Sequence, residues 1–252
     1  MKRLINFTLA KILIIIIILA FFVISIGFYI DNQKAKISGC GESVTFTYKG
    51  NIVTYGTVES QGECWLDRNL GASRIAKSHD DKQAYGDLFQ WGRLDDGHQD
   101  RNSDITTTLS TYDNPGHNNF IYGMEDPYDW RSSQNDNLWQ GVSGTNNPCP
   151  EGWRLPTRTE WKTEQASWDC WYWDGNEYDK FGAYRSPLKL TVAGYRNYIT
   201  GEINNEKENR PSGHYWSTTV NTKVEIYYMQ YRGDAIWPFA RAFGLPVRCI
   251  KD

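Results

Sequence analysis

The sequence predicts an α+β body with long loops, preceded by one N-terminal transmembrane helix, and three observations predict it. Residues 12–30 are 19 consecutive residues without a charge. The body alternates short strand-like runs with Gly-, Asn- and Pro-rich connections and has one clear helix start. All 11 Trp stand at or after Trp65 and aromatic residues make up 15% of the 252-residue chain, which supplies apolar bulk for a packed core and excludes disorder as the main description.

Residues 1–30 divide off as a membrane anchor or signal segment. At about 1.5 Å per residue, the run 12–30 approaches the roughly 30 Å hydrocarbon core of a bilayer, the partner expected for it. Lys2, Arg3 and Lys11 precede the run with no acid among them. The N-terminus is therefore expected in the cytoplasm and the body outside it, at the cell surface or in the periplasm. An uncleaved signal anchor and a cleaved signal peptide both fit; the run exceeds the usual ~7–15 residue h-region and no clear A-x-A site follows. Lipidation is a third reading, because Ile37-Ser38-Gly39-Cys40 resembles the lipobox of bacterial lipoproteins, although polar residues 31–36 separate it from the apolar run. Asn6-Phe7-Thr8-Leu9 resembles the processed start of type IV pilins, with Asn6 in place of the pilin Gly and Lys11 in place of its Glu.

With the three N-terminal bases set aside, residues 31–252 hold 24 bases against 30 acids. That balance argues against a nucleic-acid partner, which needs clustered Lys and Arg for the phosphates. Cys40, Cys64, Cys149, Cys170 and Cys249 all fall in the part expected outside the cytoplasm, where disulfides persist. None forms a C-x-x-C pair, so a zinc ribbon or thioredoxin-type site has no support, and spacing alone does not choose the bridges.

After a linker at 31–41, a domain is expected over 42–252. Residues 42–48 alternate Val44, Phe46 and Tyr48 with polar neighbours, Lys49-Gly50-Asn51 offers a turn and 52–55 resume, which predicts a hairpin. A loop-rich insertion is expected at about 93–148, punctuated by Asn114-Pro115-Gly116 and Asn146-Asn147-Pro148. Thr157-Arg158-Thr159-Glu160 has the capping-box form and starts a short helix carrying Trp161 and Trp168 on one face. Residues 224–231 read as a strand, Gly233-Asp234 as a turn and 246–250 as a closing strand.

Six segments in order resemble the Fibrobacter succinogenes major paralogous domain, a family of bacterial extracytoplasmic modules. They are Cys64-Trp65-Leu66-Asp67-Arg68-Asn69-Leu70, Tyr85-Gly86-Asp87-Leu88-Phe89-Gln90-Trp91, Cys149-Pro150-Glu151-Gly152-Trp153-Arg154-Leu155-Pro156 with Glu160-Trp161, Leu188-Lys189-Leu190 with Ala193-Gly194-Tyr195-Arg196, Gly213-His214-Tyr215-Trp216-Ser217, and Val247-Arg248-Cys249. The family is similar to the C-type lectin-like fold, also used by formylglycine-generating enzymes and by variable proteins of diversity-generating retroelements. The resemblance implies that first and last strands pair and that long loops carry a ligand surface. It implies core roles for Trp65, Trp91, Trp153, Trp161 and Trp216 and a Cys149–Cys249 bridge, with Cys40, Cys64 and Cys170 unassigned.

No enzyme is expected. His79, His98, His117 and His214 sit in no H-E-x-x-H, and the chain holds no G-x-S-x-G or P-loop motif. The cysteine pair that holds copper in the oxidase branch of the fold has no counterpart between Cys170 and Cys249. Paired carboxylates keep a carbohydrate-active enzyme as a remote alternative. No metal site or cofactor is expected, calcium being the one candidate ion, with oxygen ligands from Asp174-Gly175-Asn176-Glu177 or Asp95-Asp96-Gly97-His98; neither completes an EF-hand loop.

Binding has sharper candidates. Trp168, Trp171, Tyr172, Trp173 and Asp174 crowd aromatic faces for sugar C–H groups beside acids for hydroxyls, although the segment reads more readily as a half-buried one whose aromatics cover the core. Tyr228, Arg232 and Trp237 form a second group, since in the retroelement relatives this neighbourhood bears the variable ligand face. The expected function is a membrane-anchored, non-catalytic adhesion or binding module recognising a glycan or surface protein. A pilin-like appendage subunit is the alternative.

Overall fold

The computed structural model describes residues 14–26, 39–168, 180–204, 213–220, 224–229 and 237–252. The chain separates into two units, Met1–Gly39 and Cys40–Asp252. In the first, residues 14–26 form helix α1, exposed throughout. No helix among the described residues is long and apolar enough to cross a membrane, so the transmembrane helix expected over 12–30 is not supported. The rest of that run lies outside the described residues.

The second unit is mixed, mostly β with few helices. Its largest sheet is antiparallel and ordered β1 (Ser43–Tyr48), β2 (Asn51–Ser60), β3 (Glu63–Leu66), β14 (Ile250–Lys251), β7 (Trp153–Arg154). The predicted hairpin is β1–β2. Its two turn residues, Lys49 (φ 51°) and Gly50 (φ 73°), are both left-handed, as in a type I′ turn, whose twist matches that of the strands it joins. Gln61 (φ 53°) and Gly62 (φ 75°) repeat the device between β2 and β3.

The closing strand pairs with β3 and β7, not with the first strand: Ile250 opposes Trp65 and Arg154. β1 stays at the edge of the sheet, paired with β2 alone, while β14 lies between β3 and β7, and Leu66 N–H to Cys249 O (3.0 Å) and Leu70 N–H to Val247 O (3.0 Å) prolong the β3 pairing. Of the expected strand 246–250 only Ile250 lies in a strand, β14; residues 246–249 are an irregular connection. β13 (Gly244–Leu245) precedes it in a second sheet ordered β4 (Phe89–Gln90), β13, β8 (Tyr195–Arg196), β9 (Ile203–Asn204). β10 (Gly213–Trp216), β11 (Val224–Met229) and β12 (Trp237–Phe239) form a third sheet, and β5 (Ile105–Thr106) with β6 (Phe120–Ile121) a parallel pair.

Helix α2 (Arg158–Ala166) begins where the capping box predicts. Thr157 Oγ1 accepts from Glu160 N–H (3.2 Å) and Glu160 Oε2 accepts from Thr157 N–H (2.7 Å), satisfying two of the free donors of the first turn. Arg154 clamps both Glu160 oxygens at 2.7 and 2.9 Å, tying the helix start to β7. Trp161 packs on Trp65 (5.1 Å) and Tyr215 (5.6 Å). A short helix α3 (Lys180–Arg185) follows.

Trp65, Trp91, Trp153, Trp161 and Trp216 are all buried, as are Trp130, Trp139 and Trp168. The stretch 93–148 is loop-dominated as expected, yet it is part of the core: Trp130 Nε1–H donates to Trp91 O (2.7 Å) and Trp139 Nε1–H to Asn146 O (2.7 Å). Disulfides join Cys149 to Cys249 and Cys40 to Cys64. The second corrects the lipidation reading, because acylation needs the Cys40 sulfur that the bridge uses. Cys170 lies outside the described residues.

Candidate functional site

The first predicted binding cluster is divided. Trp168 is 6% exposed and its Nε1–H donates to the buried Glu164 Oε1 (3.1 Å), so its ring covers the core and offers no face to a ligand. Trp171, Tyr172, Trp173 and Asp174 lie outside the described residues, as does Arg232. For Tyr228 and Trp237 the backbone places are known: Tyr228 opposes His214 across β10–β11, and Trp237 opposes Ile226 across β11–β12. The two positions therefore sit on adjacent strands of one sheet.

A polar cleft of about 510 Å³ that sequence reasoning missed opens beside the β1–β2 hairpin tip. Its lining includes Asp87, Asp100, Arg101, Asn102, Asp104 and Asn118. Asp87 accepts from Tyr48 Oη–H (2.8 Å) and Lys49 Nζ (3.2 Å), and Lys49 also pairs with Asp100. Burial holds the Asp87 carboxyl above its usual range against the pull of Lys49. Gly71 (φ +81°) makes room for it, since a Cβ there would stand 2.4 Å from Asp87 Oδ2. Arg101 is anchored by Gly86 O (2.8 Å) and Ala193 O (3.1 Å), while its buried NH1 has no hydrogen-bond partner. Burial pushes this guanidinium down to about 10, where it is still charged at neutral pH. The exposed side chains of Asn102, Asp104 and Asn118 make no hydrogen bond in the structure. The cleft thus combines fixed charges with uncommitted donors and acceptors. Asp87 lies inside a segment that the resemblance draws on, but nothing in its neighbours marked it as cleft-lining.

The calcium ligands expected at 95–98 are already occupied. Asp96 Oδ2 accepts from Arg93 Nε and NH2 (3.2 and 2.7 Å), and Asp96 Oδ1 meets His98 N (3.0 Å) and Nδ1 (2.6 Å). Asp95 Oδ2 accepts from Lys49 N–H (3.2 Å). Among the described residues no group of three or more His, Cys, Asp or Glu is placed to hold a metal ion. Residues 174–177 lie outside them.

Two of the four histidines are unsuited to acid–base work. His98 is fully buried, its Nε2 accepting from Gln90 N–H (3.0 Å), which puts the proton on Nδ1 facing Asp96. Burial, with Arg93 nearby, pushes it down to about 3; burial does the same to His214. Both imidazoles are neutral and shielded at physiological pH.

Two buried arginines, Arg248 and Arg241, lie near the C-terminal strands. Arg248 donates to Asn69 Oδ1 (3.0 Å), Leu66 O (3.2 Å) and Leu188 O (2.8 Å), and Asn69 in turn donates to Tyr85 O (3.0 Å) and Tyr215 Oη (3.3 Å). Arg241 stacks over Trp91 (4.5 Å) and pairs with Asp136, but its NH1 and Asp129 Oδ2 stand 3.9 Å apart, each buried without a hydrogen bond. Burial raises Asp129 to about 6. Comparisons of this chain with protein-family models, curated proteins and solved structures find no match.

Proposed function

We propose that this chain is an extracytoplasmic, non-catalytic binding module of the C-type lectin-like kind that recognises a glycan or protein ligand, with its N-terminal apolar segment serving export or anchoring. The observation that carries the reading is the polar cleft, whose Asn102, Asp104 and Asn118 side chains are exposed and uncommitted beside the fixed charges of Asp87, Asp100 and Arg101. Amide and carboxylate groups in that state are what sugar hydroxyls need as partners. Two disulfides favour an oxidising compartment. The aromatics Trp171, Tyr172, Trp173 and Trp237, with Asp174, Tyr228 and Arg232, are the further ligand contacts proposed from sequence.

The full chain, purified in mild detergent with its disulfides formed, is probed on a glycan array with and without calcium. Folded Asn118→Ala, Trp171→Ala and Trp237→Ala variants are run alongside. Saturable binding that one of these variants loses supports the reading. Absence of binding in both conditions overturns the glycan form of it and turns attention to protein ligands and to the appendage alternative.

A further inference from the structure

Away from the cleft, two tyrosines, Tyr128 and Tyr198, meet at the surface. Tyr128 is 40% exposed and its backbone is left-handed (φ 59°), a conformation that a bulky side chain adopts only when its surroundings impose it. Tyr128 N–H donates to Glu125 O (2.6 Å) and Ala242 N–H donates to Tyr128 O (3.2 Å), which fixes the conformation. The result sets its ring edge-on to Tyr198 (centroids 5.6 Å), which packs against Phe243 behind it (4.5 Å). Gly123 N–H to Tyr198 O (3.2 Å) joins the two segments. Neither tyrosine hydroxyl makes a hydrogen bond in the structure, whereas the indole N–H groups of the buried Trp91, Trp130, Trp139, Trp161 and Trp216 all do.

We propose that Tyr128 and Tyr198 form a stacking subsite for a neutral sugar ring, an inference that rests on the binding-module reading above. Two features select this occupant. Two rings that would each bury about 150–250 Å² when fully covered, exposed by two-fifths or less, present on the order of 150 Å². That is far below the roughly 800 Å² per partner of a stable protein interface, and it is the size of one pyranose face. Glu125 and Asp126, exposed on the same turn, have uncommitted carboxylates to accept sugar hydroxyls. Those same charges repel an acidic sugar, so the subsite discriminates against uronic acids.

The test uses the full chain in detergent with hexasaccharides of cellulose, xylan, mannan and chitin as probes, and hexagalacturonate as the acidic control, by calorimetry. At least one neutral hexasaccharide should bind, hexagalacturonate should not, and Tyr198→Ala and Tyr128→Ala should each weaken binding by about tenfold or more, the loss of one stacked ring. Tyr198→Phe keeps the ring face and should stay within about threefold. Bound sugar should also protect Tyr128 and Tyr198 from nitration, read by mass spectrometry, which a merely structural role does not predict. Melting curves establish that each variant is folded. Unchanged affinity in folded Tyr→Ala variants, with binding lost instead in Asn118→Ala or Trp171→Ala, overturns the subsite and leaves the binding-module reading standing. No binding of any hexasaccharide, on the array or in solution, overturns the subsite together with the glycan form of the binding-module reading.

Discussion

Arg248 and Arg241 stand seven positions apart near the C-terminus, 2% and 4% exposed, and the fold treats them in opposite ways. Around Arg248, main-chain carbonyls and the Asn69 amide absorb the guanidinium, and the Cys149–Cys249 bridge lies one residue away. Around Arg241, a nitrogen and a carboxylate oxygen are both buried and left 3.9 Å apart. A satisfied buried network rigidifies its region, whereas a part-satisfied one forgoes stability. The second place adjoins Tyr128 and Phe243 and directly follows β12, where the ligand-facing residues are proposed. The comparison suggests a scaffold closed by Arg248 and a face left energetically open around Arg241.

The largest expected effect tests that contrast head-on. Arg248→Met strands the carbonyls of Leu66 and Leu188 and should cost about 3–5 kcal/mol in urea unfolding, while Arg241→Met, at pH 5 where Asp129 is mostly neutral, should cost about 1 kcal/mol or less. Equal losses would break the comparison.

A pH series sharpens it. Asp129 is raised from 3.8 to about 6 in the folded protein, so the native state holds a proton that the unfolded chain releases. The stability this gives is fully present below about pH 3.8 and is lost as pH rises through 6, roughly 3 kcal/mol in all. His98 and His214, pushed down to about 3, act in the other sense: their contribution is present above 6.5 and lost as pH falls toward 3. Thermal unfolding of the wild type against Asp129→Asn separates the two. The difference between them should change by about 2–3 kcal/mol between pH 4 and pH 8, with the variant gaining at high pH. A constant difference would show that Asp129 does not titrate with folding.

Two smaller tests probe the scaffold alone. Glu160→Ala removes a cap and both bonds from Arg154, and a loss of about 1–2 kcal/mol is expected by urea titration. Gln61→Asn places the residue that best tolerates φ near +53° ahead of Gly62, and should raise stability by about 0.5 kcal/mol.

Local rules were legible in the sequence. The Lys49-Gly50 turn and the Thr157–Glu160 box follow from chemistry within a few residues, and they appear where expected. The Arg248 network joins residues over a hundred positions apart, but each partner lies in a segment that the family resemblance draws on. What escaped depends on long-range placement. Trp130 and Trp139 sit amid polar, turn-rich sequence, so their burial becomes visible only when 93–148 folds against β4. Trp168, two residues beyond α2, joins Trp161 in one core cluster; its segment offered both core cover and a ligand face, and only the folded contacts choose between them. The irregular course of 246–249 and the insertion of β14 between β3 and β7 depend on contacts with segments far away in sequence.

Backbone hydrogen exchange of the full chain, with and without the neutral hexasaccharide that binds best, tests the division into scaffold and face most directly. Ligand should slow exchange in segments 97–104 and 122–130, while 63–70 and 245–251, already the slowest in the free protein, should not change. Protection confined to the Arg248 side, or equal exchange rates in the two regions of the free protein, would contradict the account.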